Sequence, residues 1–108
     1  MKDVVIVGIG QTEVGEHWNI SLRELAFHAI DQAIRDSGGL KPQAVFVGNM
    51  LAPQLSRQAH VGVLVADTAG LNGIEAVTVE AGGASGGAAL RAGYMAVASG
   101  MVDVALVV

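Results

Sequence analysis

Four short apolar runs recur along the chain, each separated from the next by a segment of helix length. They are Asp3–Gly8, Ala44–Val47, Ala76–Val79 and Val102–Val108. In the first, Val4, Val5, Ile6 and Val7 follow one another without a polar break and stop at Gly8. An uninterrupted β-branched run, as opposed to an alternating one, suits a strand buried on both faces of a parallel sheet. Parallel neighbours need long crossovers, and the segments between the runs supply them. Ser21–Ser37, Ser56–Ala69 and Ala84–Ser99 read as helices. The order strand, helix, strand, helix, strand, helix, strand predicts an α/β chain with a parallel sheet, helices on both faces and right-handed crossovers.

The first helix carries the clearest signals. Ser21 and Glu24 have the spacing of a capping box. Leu22, Leu25, Ala26, Ala29, Ala33 and Ile34 fall on one face, and Glu24, His28, Asp31, Gln32 and Arg35 on the other. Gly38-Gly39 stops it. Pro53 is expected in the loop after the second run. Gly70 and Gly100 end the second and third helices, although Val61, Val63 and Val65 are poor helix formers within the second.

The chain has 108 residues, enough for one domain, 1–108, around one core. Apolar residues make up 52% and charged residues only 15%, against about a quarter charged in ordinary soluble domains. A membrane span is excluded, because it needs roughly 20 uninterrupted apolar residues. Arg91 and Asp103 bracket the most apolar helical stretch. Met1-Lys2-Asp3 leads into too short an apolar run for a secretory signal. A terminus inside the run Val104–Val108 fits a truncated chain whose remainder covers the apolar surface. With no cysteine there is no disulfide framework and no Cys-based zinc site, so a cytoplasmic location is the default expectation. The net charge of −4 and the lack of a Lys/Arg cluster exclude nucleic acid as a partner.

Few segments carry chemistry. Gly8-Ile9-Gly10 follows the first run, but the third glycine of a dinucleotide fingerprint would fall at Glu13, where no helix begins. His17, His28 and His60 show no metal-ligand spacing, and no metal is expected. His28 belongs to a solvated helix face, and His17 and His60 read as structural or interface residues. Trp18, alone in a polar loop, is the kind of residue that plugs a neighbouring subunit.

The turn Ala81-Gly82-Gly83-Ala84-Ser85-Gly86-Gly87 stands apart, because it joins a buried strand to a helix. Ligands of open α/β sheets bind beyond the carboxyl ends of strands, where a helix N-terminus offers free N–H groups. The segment holds no lysine, which excludes a P-loop. Three readings remain. The turn could be an oxyanion or acyl-binding turn built on Gly82, Gly83, Ala84, Ser85 and Gly86. Gly83-Ala84-Ser85-Gly86-Gly87 also matches the nucleophile elbow G-x-S-x-G, making Ser85 a hydrolase nucleophile. That elbow needs an acid and then a histidine downstream, and the chain has Asp103 but no histidine after His60. The small residues could also serve close helix packing alone.

At this turn the sequence resembles the thiolase family, in particular its archaeal and bacterial branch related to sterol-carrier-protein thiolases. The similar stretches are Val5–Thr12, the helix from Ser21, Gly48-Asn49 and, most specifically, Val79–Gly100. The resemblance implies a five-layer αβαβα architecture of two similar halves, of which this chain is most of the first, βαβαβαβ. It implies acyl-CoA C-acyltransfer, as in an acetyl-CoA acetyltransferase, through an acyl-cysteine, with coenzyme A thioesters as substrates and no bound cofactor. The remaining catalytic groups come from the family's C-terminal half. A homodimer or homotetramer is implied, with Val77, Thr78, Val79 and Glu80 at the subunit interface.

Against the family pattern V-E-A-A-C-A-S-G-G, Glu80, Ala81 and Ala84-Ser85-Gly86-Gly87 match, and Gly83 occupies the place of the nucleophilic cysteine. Glycine has no side chain to acylate, so the chain as it stands is expected to be inactive in thiolysis. Either an ordinary thiolase has lost its nucleophile, or the protein is a natural Cys-less relative. Relatives of the second kind include lipid-transfer proteins and retro-aldolases that act with an acyl-CoA-binding partner subunit.

Overall fold

The computed structural model describes residues 1–108. The elements run α1 (Leu22–Asp36), β1 (Ala44–Gly48), α2 (Ala52–Leu55), α3 (Val61–Thr68), β2 (Glu75–Val79), α4 (Ser85–Ala98) and β3 (Ala105–Val107). The three strands form one parallel sheet in the order β2-β1-β3. Ala44 of β1 stands opposite Glu75 on one side and Ala105 on the other. The α/β class and the parallel sheet are as the sequence predicts.

β1 is central, and its alternate residues feed two cores. Val45 and Val47 pack with Ile30, Val61, Val65, Ala66 and Leu106 under α1 and α3. Ala44 and Phe46 pack with Ala89 under α4. Burying each of these large side chains stabilises the fold by about 2 kcal/mol. In α1, Ser21 Oγ accepts the Glu24 N–H at 3.1 Å, the forward half of the capping box. The one buried residue of α1 is Ile30, which is not among the six named for the apolar face but neighbours Ala26 and Ile34 on it.

Two expectations fail. The run Asp3–Gly8 is extended but joins no sheet, and Val5 and Ile6 are 74% and 75% exposed. The segment lies along α1 instead. The Ile9 N–H donates to Asp36 Oδ2 at 2.9 Å and the Gln11 N–H to Gln32 Oε1 at 3.1 Å. A Cβ at Gly8 or Gly10 would collide with the α1 carbonyls of Ala33 or Ala29, so the glycines set how closely the segment approaches. β1 and β3 pair directly, which leaves no slot for a fourth strand between them.

The single helix expected over Ser56–Ala69 is also absent as such. Pro53 sits in the first turn of α2, where its missing N–H costs nothing. The chain then breaks at Ser56–His60, with Arg57 and His60 in the left-handed region at φ 49° and 55°. α3 resumes at Val61 with Val61 and Val65 buried, while Val63 is exposed.

Candidate functional site

β1 and β2 are neighbours, yet the chain leaves their carboxyl ends toward opposite faces. After β1 it enters α2 and α3 over the Val45/Val47 face, and after β2 it enters α4 over the Ala44/Phe46 face. Divergence of this kind opens a crevice between adjacent strands of an open parallel sheet. A cavity of about 150 Å³ lies there, and its lining includes Asn49, Gln58, His60, Thr78 and Glu80. A more open depression of about 420 Å³ lies at the other end of β2. Its only charged residue, Asp67, is paired with Arg23 at 3.0 Å, so it brings no free chemistry.

The loop after β1 is committed to structure. Asn49 Oδ1 accepts the N–H groups of Leu51 and Ala52 at 2.9 and 2.7 Å and so caps α2. Its own N–H donates to the Val79 carbonyl at 3.2 Å, which ties the two strand ends together. Gly48, at the end of β1, presses directly on the start of α4. A Cβ there would collide with the Ser85 carbonyl oxygen and lie 2.7 Å from its carbonyl carbon.

The turn after β2 is built differently. Ser85, 6% exposed, donates through Oγ to the Gly82 carbonyl at 2.7 Å and accepts the Ala81 N–H at 3.0 Å. The N–H groups of Ala84 and Ser85 donate to the carbonyls of Ala81 and Gly82 at 3.0 and 3.1 Å. Gly82 takes the left-handed conformation, φ 57°, and donates its N–H to Glu80 Oε2 at 2.8 Å. Within Ala81–Ser85 only the Gly83 N–H is left without an acceptor, and Gly86 and Gly87 add two more at the first turn of α4. Three free donors at the positive end of a 14-residue helix suit an oxygen that carries developing negative charge.

Gly83 differs from Gly48 and Gly82. Its φ is not positive, and a Cβ built on it meets nothing within 4 Å. Neither backbone conformation nor crowding calls for glycine there. Gly82, Gly83, Ala84, Ser85 and Gly86 are thus brought together as one turn. The elbow reading of Ser85 finds no support, because its hydroxyl is buried and bonded to the turn's own backbone and makes no hydrogen bond to a histidine or carboxylate.

Val77, Thr78, Val79 and Glu80 lie in and just after β2, whose outer edge pairs with no strand. His17 Nε2 bonds the Glu13 carbonyl at 2.7 Å, and the 87%-exposed Trp18 donates to Glu16 Oε2 at 2.8 Å, both away from the crevice. His28 is exposed on α1. His60 and Glu80 line the crevice, whereas the sequence reading placed His60 among structural or interface residues and Glu80 at the subunit interface. The only cue to His60 was its place before the valine-rich helix. No cluster of three His, Asp or Glu side chains could hold a metal ion, and no helix is long and apolar enough to cross a membrane.

Comparison with known proteins bears on this turn. The family model described as "Thiolase, N-terminal domain" matches residues 4–108. An acetyl-CoA acetyltransferase of Methanothermobacter thermautotrophicus is 46% identical over 98% of this chain. A protein of the same name from Methanocaldococcus jannaschii is 45% identical over 99% of it. The chain spans 28% of the length of each of these relatives. With a parallel α/β sheet and a match over nearly its whole length, the chain belongs to the thiolase family, in its N-terminal domain.

Proposed function

We propose that this chain is most of the acyl-binding first half of a thiolase-type acyl-CoA C-acyltransferase, an acetyl-CoA acetyltransferase in kind, whose nucleophile position is vacant. The observation that carries the reading is Gly83. It stands at the head of α4 with a free N–H, unstrained backbone and open space for a side chain. A thiolate at this place would have its pKa lowered by the helix end and would attack a thioester carbonyl. The position-83 N–H would hold the oxyanion while the coenzyme A thiolate departs. With glycine there, the turn can hold an acyl-CoA carbonyl but no acyl-enzyme forms.

The test is Gly83→Cys in the full-length chain, assayed for thiolysis of acetoacetyl-CoA. The expected result is a gain on the order of a thousandfold or more over the unsubstituted protein. A folded variant with no thiolysis would favour the second reading, a natural Cys-less relative acting with an acyl-CoA-binding partner subunit.

The free edge of β2 supports pairing with a second copy of the chain through Val77–Glu80, since an unpaired strand edge is a ready template for another strand. Sedimentation of the full-length protein is expected to give a dimer or a multiple of it. A monomer at micromolar concentration would remove this part of the proposal.

A further inference from the structure

The turn after β2 holds one charged side chain, and that charge has the sign opposite to what an anion site needs. Val79–Leu90 contains no lysine or arginine, and its single ionisable group is Glu80. The Glu80 carboxylate accepts the Gly82 N–H at 2.8 Å across two residues, and Gly82 is the turn's left-handed residue. This bond closes the only N–H of Ala81–Ser85 that backbone and Ser85 leave unpaired, apart from that of Gly83. It therefore fixes the bend beside Gly83, whose N–H is left without an acceptor.

We infer that Glu80 is a positioning and selecting residue for the acyl turn: its hydrogen bond to Gly82 sets the direction of the Gly83 N–H, and its charge favours a neutral thioester carbonyl over a preformed anion. The inference rests on the acyl-binding reading given above. The free N–H groups of Gly83, Gly86 and Gly87 at a helix N-terminus would by themselves draw phosphate or a carboxylate as readily as a carbonyl. A fixed negative charge beside them repels an ion that arrives already charged. It leaves a carbonyl, whose charge develops only during reaction, free to bind. The other titratable group of the crevice is His60, across from Glu80 at the start of α3.

The experiment uses the full-length chain carrying Gly83→Cys, alone and with Glu80→Gln or Glu80→Ala. Glutamine keeps an oxygen to accept the Gly82 N–H but carries no charge, whereas alanine loses both. Alkylation of the introduced thiol by iodoacetamide, followed against pH, reads the charge. Both double variants should react about threefold faster at neutral pH, the effect of removing a nearby like charge in a solvated site. Acylation of the same thiol by acetyl-CoA reads the geometry. Glu80→Ala should be about tenfold slower than Glu80→Gln, the effect of losing the one hydrogen bond that holds the donor in place.

Equal acylation rates for Glu80→Gln and Glu80→Ala would overturn the positioning role. Unchanged alkylation in both would overturn the selecting role. Absence of acylation in every variant, with the alkylation difference present, would sink the acyl-transfer reading and uphold the electrostatic role of Glu80.

Discussion

Gly48 ends β1 and Gly83 lies in the turn beyond the neighbouring strand β2, and residue type alone does not tell the two glycines apart. The structure separates them. Gly48 is glycine because the head of α4 leaves no room, with the carbonyl group of Ser85 lying where its Cβ would be. A Cβ on Gly83 would meet nothing within 4 Å, and its φ is not positive. The loop after β1 spends its polar groups on capping α2 and on the Val79 carbonyl. The turn after β2 pairs all of its N–H groups from Ala81 to Ser85 except that of Gly83. One glycine serves packing. The other stands at an open, oriented position for which the fold supplies no packing explanation.

The largest effect expected from this contrast belongs to Gly48→Ala. A methyl group there must push the end of β1 away from α4, and the obstacle is backbone, which cannot rotate aside as a side chain can. The cost should be about 3 kcal/mol, read as a lower denaturant midpoint of the full-length protein. The displaced α4 should also take the free N–H groups of the turn out of line. A stability within about 0.5 kcal/mol of the unsubstituted protein would show that the strand end and the helix head are less tightly joined than the geometry requires.

Much of the fold was legible in the sequence, for reasons that residues make plain. Ala44–Val47 is buried on both faces as a continuous apolar run should be, and Ser21, Gly38 and Gly100 mark helix ends through local chemistry. The turn Ala81–Gly87 was legible because strand, glycines and helix occur in immediate succession. Val4–Val7 was misread because its pattern equals that of β1. What decides between them is tertiary: direct pairing of β1 with β3, and backbone contact of Gly8 and Gly10 with α1. The break at Ser56–His60 was hidden because its left-handed residues are Arg57 and His60, with no glycine to mark it. Glu80 reads from the sequence only as a pattern match and an interface residue, because its bond to Gly82 depends on the bend of the turn.

The smallest expected effect is the most telling for function. If Gly83 is glycine for no structural reason, Gly83→Ala should leave the stability of the full-length protein unchanged, or raise it by about 0.5 kcal/mol as the unfolded chain loses freedom. The methyl group enters open space, and the neighbouring left-handed residue, Gly82, is untouched. The comparison is clean because alanine adds a Cβ without adding chemistry, so any change reports on shape alone. A loss above about 1 kcal/mol would mean that the turn needs glycine at this position, and the vacancy would then be a feature of packing. A neutral outcome, set against a large loss for Gly48→Ala, would leave the missing side chain at position 83 to be explained by what the turn binds.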